Sequence, residues 1–302
     1  MAAAALLVAG CGTTTSSRSV APPSTVPAGT PAPTAPSTPT AGGTGGKPSW
    51  IVADWAIADM EKAGLSQSLV TSFFDNPETY LILHPGDARI DAALPHAVRL
   101  ERFTSFATMQ SAFADGQLLP GISAVMYDNE AWSFTPADEK ANPIQFAAEA
   151  AALAHQHDLR LVFTPAANLA DLQSSATGGD KYANYLAQDL AAGARVSDVF
   201  DIQSQQAEGT PQFATFVSQA AGQAKAANPG AVVMAGIGPN PGGRPVTAAQ
   251  ILDAVDAVRS EVSGFWLNMP AGTAQCPQCG TAQPQVAVAF LEALAAQLGI
   301  GG

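Results

Sequence analysis

Val199-Phe200-Asp201-Ile202-Gln203-Ser204-Gln205 reads as a short strand whose two faces differ. Successive strand residues point to opposite sides. Phe200 and Ile202 therefore share one face, and Asp201, Gln203 and Gln205 share the other. A strand buried on both faces of an open parallel sheet is apolar on both. Here one face is apolar, as if for helices, and the other turns polar toward its C-terminal end. That is the pattern of a strand lining the mouth of a closed barrel. It recurs in Gly264-Phe265-Trp266-Leu267-Asn268, where Phe265 and Leu267 oppose Trp266 and Asn268. It recurs again in Ala124-Val125-Met126-Tyr127-Asp128-Asn129-Glu130, where Val125 and Tyr127 oppose Met126, Asp128 and Glu130.

Working outward from these segments, apolar runs rich in β-branched or aromatic residues alternate with longer Ala-rich helical stretches. Strands are expected near 50–55, 79–84, 97–103, 122–128, 159–164, 198–203, 231–237 and 262–268. Helices are expected near 57–74, 105–115, 143–157, 180–193, 211–227, 247–260 and 284–298. Asn142-Pro143 and Thr247 are start signals, and Gly116, Gly193 and Asn228-Pro229-Gly230 are stops. Eight strands alternating with helices over about 255 residues imply an α/β fold, a (β/α)₈ TIM-barrel-like domain over 48–302. A doubly wound open sheet is the alternative. The link between the second and third strands is short.

The 302-residue chain carries 25 acidic and 13 basic side chains, a formal net charge of −12, with 47% apolar and 13% charged residues. That is enough apolar material for a large core. The negative balance excludes a nucleic-acid partner, which needs clustered Lys and Arg, and electrostatic docking on anionic lipid. Arg18 and Lys47 are the only charges before residue 48, so 48–302 keeps 11 basic against 25 acidic residues, a net −14.

The first residues are of another kind. Met1–Ala9 is Ala-rich and apolar, and Val8-Ala9-Gly10-Cys11 resembles a bacterial lipobox. The resemblance implies a signal-peptide remnant over 1–10 and lipidation of Cys11, although no basic residue precedes that Cys. Residues 12–47 hold 7 Pro and 14 Ser or Thr. Such a segment buries too little to offset its ordering entropy. It is expected to be a disordered Pro/Thr/Ser-rich tether, 11–47 with its lipidated Cys, reaching up to roughly 100 Å. The expected location is the outer face of a cell membrane, held by the lipid anchor alone, and a monomer is expected.

Barrel enzymes carry their sites at the C-terminal ends of strands. Those ends offer Asp54 and Trp55, His84, Thr104, Asp128, Glu130 and Trp132, Thr164 and Asn168, Asp201, Gln203 and Gln205, Asn240, and Trp266 with Asn268. Carboxylates and amides suit sugar hydroxyls, and indoles suit sugar C–H faces. The expected substrate or ligand is therefore a carbohydrate, with Trp266, Trp132, Gln203, Gln205, Asn268, Asp201, Asp54 and His84 as its binding residues. The sharpest signal is Tyr127-Asp128-Asn129-Glu130-Ala131-Trp132. Two acids spaced two apart enter the mouth together, and one is pushed to a higher pKa. A Glu kept protonated is what a glycosidic leaving oxygen needs as general acid.

On this Asp-x-Glu at the end of the fourth strand, with a Trp on the eighth, the chain resembles the chitinase-like family 18 glycoside hydrolases. The resemblance implies that Glu130 is the general acid/base, that Asp128 orients the substrate's N-acetyl group, itself the nucleophile, and that Trp266 floors the sugar site. Met126 and Ser123 stand where that family has further acids, and Gln203 and Gln205 where it has a Tyr. A non-catalytic glycan-binding protein on a degenerate barrel is therefore the alternative. A two-lobed solute-binding protein is a third reading, without a visible midpoint break.

Cys276-Pro277-Gln278-Cys279 follows the last strand, too late for a thioredoxin-type redox pair. His84, His96, His155 and His157 show no paired spacing that would complete a zinc site with it. A disulfide between Cys276 and Cys279 is expected, with no metal and no cofactor. Gly236–Gly243 lacks phosphate-loop spacing and reads as a rim loop.

Overall fold

Trp50 and Phe265, more than two hundred residues apart, stand side by side in neighbouring parallel strands. This pairing of β1 (Ser49–Ala53) with β8 (Gly264–Leu267) closes the sheet. The protein is seen here in a computed structural model that describes residues 46–85, 88–173, 180–272 and 279–300. Between β1 and β8 run β2 (Thr79–Ile82), β3 (Val98–Phe103), β4 (Ala124–Tyr127), β5 (Arg160–Phe163), β6 (Val199–Ile202) and β7 (Val232–Ile237), each hydrogen-bonded to the next. The chain is a (β/α)₈ barrel of TIM type. Neither the open sheet nor a two-lobed arrangement survives the β1–β8 pairing.

Parallel neighbours need crossovers, and helices supply them. They are α1 (Asp54–Lys62), α2 (Gln67–Phe74), α3 (Ala88–Ala93), α4 (Phe106–Asp115), α5 (Ala137–Ala141), α6 (Pro143–Gln156), α7 (Asn168–Gln173), α8 (Lys181–Ala187), α9 (Gln212–Ala227), α10 (Ala248–Val258) and α11 (Pro284–Leu298). The helix expected over 57–74 is two helices. Gly64 at φ +110° ends the first, and the Ser66 hydroxyl accepts from Leu69 N to start the second. The helix expected over 180–193 breaks at Asp189, φ +52°, and continues as a 3₁₀ segment, Leu190–Arg195. Gly193 lies inside that segment rather than ending a helix. A Cβ there would stand 2.5 Å from the Phe163 ring, so only glycine lets the segment lie against β5 and β6. Thr247 forms a capping box with Gln250, and Gly116 closes α4 at φ +64°. Asn142 precedes α6 but its side chain caps nothing there; it donates to Asp138 O. The short link after β2 holds α3, and α5 and α7 were equally unforeseen; each has only five or six residues.

Side-chain parity positions the site. Trp50 packs on Phe73, Phe74 and Phe290 at 5.7–6.5 Å, which sets it on the helix side of the sheet. Its neighbours Ile51 and Trp266, in register with each other, therefore face the barrel axis. Tyr127 stacks on Phe163 at 5.6 Å and Phe163 meets Phe200 at 6.0 Å, all three outward. The residues that follow them, Asp128, Thr164 and Asp201, turn inward. The ladder continues through this row, since Asp128 N donates to Phe103 O and Thr164 N to Tyr127 O.

Candidate functional site

The strand ends enclose a cleft of about 970 Å³. Its walls include Trp55 after β1, Arg102 on β3 and Thr104 just after it, Asp128, Glu130, Trp132 and Phe134 beyond β4, Asn168, Gln203 and Gln205, and Trp266 with Asn268. Asn129 explains why both acids of the Asp-x-Glu enter together. Its Nδ2 donates outward to Tyr127 Oη at 2.6 Å and to Glu139 O at 3.1 Å. With the middle residue pinned on the helix side, Asp128 and Glu130 alternate to the other.

Asp128 is fully buried. Thr164 Oγ1 and Gln203 Nε2 donate to its Oδ1 at 2.9 and 2.8 Å, and Arg102 Nη1 donates to its Oδ2 at 3.3 Å. Burial raises its pKa above the usual carboxylate range, and Arg102 and the two neutral donors pull it back. Glu130 has a different environment. Burial first, and the charge on Asp128 second, push it up to about 8, against the opposing pull of Arg102 and Lys181. It is therefore protonated at neutral pH. Asp201 lies beneath the cleft rather than on its wall. It is fully buried, and neither carboxyl oxygen has a hydrogen-bond partner among the described residues. Burial, then the Asp128 charge, holds its pKa well above the carboxylate range. All three acids are raised by burial, and among them Asp128 alone has donors that oppose the rise.

Aromatic rings frame these acids. Trp266 is 4% exposed and forms floor. Trp132 is fixed by its Nε1 donating to Thr135 Oγ1, which donates to Thr104 O. Phe134, 42% exposed, meets Trp132 edge-on at 5.5 Å. Gln203 is held by Asp128 and by Thr164 O. Gln205 Oε1 lies where a Cβ on residue 236 would come within 2.3 Å, so Gly236 makes room for it.

Asp54 and His84 are not on the cleft wall. Asp54 accepts from Trp55 N and His84 N at 2.6 Å each, and its Oδ1 lies 3.0 Å from His84 Nδ1. With both oxygens occupied by the start of α1 and the end of β2, this carboxyl fastens the backbone beside Trp55 instead of meeting a ligand. Asn240, another strand-end amide, holds the rim by donating to Pro270 O, Cys279 O and Thr281 O. Cys279 is disulfide-bonded and reaches the cleft wall. Cys276 lies outside the described residues, as do Cys11 and the tether up to residue 45. Among the described residues no cluster of His, Cys, Asp and Glu could hold a metal ion, and no helix is long and apolar enough to cross a membrane.

Three further groups escape sequence reading. Arg102 follows Leu100 on the inward parity of β3, so a charged residue in mid-strand was its only signal. Lys181 arrives on α8, from outside the strand-end pattern. Glu208 is buried behind β7, accepting from Gly238 N at 2.7 Å, and is pushed up to about 8, chiefly by burial. No family model and no curated protein matches this chain.

Proposed function

We propose that this protein is a cell-surface glycoside hydrolase-like lipoprotein that cleaves a glycan in the barrel mouth. The observation that carries the reading is the pairing of Glu130, its carboxyl pushed up to about 8, with Asp128, held by three donors, on one wall of an indole- and amide-lined cleft. Glu130 gives its proton to the glycosidic oxygen as the bond from that oxygen to the anomeric carbon breaks. Asp128, fixed by three donors, faces the positive charge that develops on the sugar. On an N-acetylated sugar it also orients the acetamido group, whose carbonyl oxygen attacks the anomeric carbon. Water then adds at that carbon as its bond to the acetamido oxygen breaks, the electron pair returning to the acetamido group, and Glu130 takes up the water's proton. Trp266, Trp132, Gln203, Gln205 and Asn268 would hold the ring. The resemblance to chitinase-like hydrolases supports the same assignment.

Location belongs to the same proposal: lipid on Cys11 and the 12–47 spacer would hold the barrel away from a membrane. Cys11→Ser should then move the protein from the membrane fraction to the soluble one.

The test of catalysis is turnover of a panel of β-linked glycans, with Glu130→Gln and Asp128→Asn alongside. General-acid loss predicts a fall of about 10²–10⁴-fold for Glu130→Gln. Equal turnover by both proteins removes Glu130 from the mechanism. The second reading, binding without hydrolysis, is favoured by Met126, an apolar residue on the inward face just before the acid pair. Micromolar glycan binding with no turnover, unchanged in Glu130→Gln, would establish it.

A further inference from the structure

Glu130 faces two spaces. One is the cleft; the other is a side recess of about 10 Å³ among Glu130, Asn168, Lys181, Gln203, Gln205 and Gln206. That is room for about one water. Glu130 makes no side-chain hydrogen bond to a described residue, so none of these residues grips its carboxyl directly. Lys181, on the recess wall, is by contrast held. It opens α8 behind the Asp180 cap, donates to Gln206 Oε1, and its ammonium lies 5.1 Å from the Tyr182 ring centroid. Partial burial lowers its pKa, while Asp171, Asp180 and Glu130 act the other way. The charged groups acting on Glu130 are Asp128 beside it, Arg102 from β3 and Lys181 from α8. Arg102 is already bonded to Asp128. Among the described residues Lys181 is the cation left to answer a charge on Glu130.

We propose that Lys181 is a positioning residue for Glu130, its ammonium receiving across the recess the carboxylate that Glu130 becomes once its proton has left. The step rests on the hydrolase reading for its timing. The O–H bond of Glu130 breaks, the proton bonds to the leaving oxygen, and the electron pair stays on Glu130 facing Lys181, which keeps all three of its own protons. Without that cation the new carboxylate would sit in a desolvated corner beside the charge on Asp128, which is the arrangement that resists ionisation.

The experiment needs no glycan in its first arm. The Glu130 carboxyl is titrated by carbon-13 NMR in the full chain, assigned by its absence in Glu130→Gln. Lys181→Met and Lys181→Gln should raise its midpoint by roughly one unit, and Lys181→Arg by a few tenths at most. An unmoved midpoint in both neutral variants overturns the proposal. In the second arm, kcat on a cleaved glycan should fall about tenfold in Lys181→Met with KM unchanged, its alkaline limb moving with the NMR midpoint. A shifted midpoint in a protein that cleaves nothing upholds the pairing and defeats the hydrolase reading instead.

Discussion

Glu139 and Asp201 are both carboxyl groups out of reach of water, and their surroundings are opposite. Glu139, on the helix side of the sheet, accepts from Phe106 N at 2.7 Å, Ala107 N at 3.1 Å and Tyr127 Oη at 2.9 Å. It caps the start of α4 and ties that start to β4. Asp54 is of the same kind, fully occupied by backbone N–H groups and His84. Inside the barrel the rule reverses. Among the described residues neither Asp201 nor Glu130 has a donor, and Asp128 alone of the three is fully dressed. Burying an acid without partners favours its neutral form and works against folding. The outer acids hold the fold, and the inner ones keep protons at the mouth at the fold's expense.

The largest effect that would sharpen this contrast is expected at Glu139. Glu139→Ala strands the Phe106 N–H and the Tyr127 hydroxyl in a buried place and takes the partner of Ala107 N–H at its edge. A loss of about 3 kcal/mol is expected, from the cost of buried donors left unpaired. Urea unfolding measures it. A loss below about 1 kcal/mol would mean that Glu139 is not the clamp its three hydrogen bonds describe.

The next effect is on pH. Glu130 and Glu208 are pushed up to about 8 from an ordinary 4.5, and burial holds Asp201 well above its own ordinary value. A carboxyl raised in the folded state binds its proton more tightly there than in the unfolded chain. Its contribution to stability is full below about pH 4.5 and fades as pH rises through about 8. The urea midpoint should therefore decline from pH 5 to pH 9, and Glu208→Gln should flatten that decline. A midpoint that climbs over this range would show that the inner acids are ionised in the folded protein.

Much of this arrangement was legible in the chain, and the part that was not has a common cause. Parity alone sorted Phe200 from Asp201 and Tyr127 from Asp128, because a strand's period of two is local. Three of the four Trp residues fell on strand ends, and Trp55, Trp132 and Trp266 all reach the cleft. What parity cannot tell is how far along a strand the mouth begins. Asp201 has the right face but lies one level too deep, and Asp54 and His84 lie at strand ends yet satisfy each other. Lys181 depends on how α8 packs beyond the strand end, and no spacing in the sequence encodes that.

The smallest effect tests the inner half of the contrast most directly. Asp201→Asn replaces a neutral acid by a neutral amide of nearly the same shape, in a site where the described residues offer the acid no hydrogen bond to lose. At pH 6 the two proteins should differ by less than about 1 kcal/mol, since removing a group without partners forfeits nothing. As pH rises the wild-type chain must either keep an increasingly costly proton on Asp201 or place a second charge beside Asp128. The amide faces neither demand. Asp201→Asn should accordingly gain on the wild type in thermal midpoint between pH 7 and pH 10. A variant that falls further behind over that range would mean that Asp201 is a stabilising anion, and the distinction between outer and inner acids would fail at its clearest example.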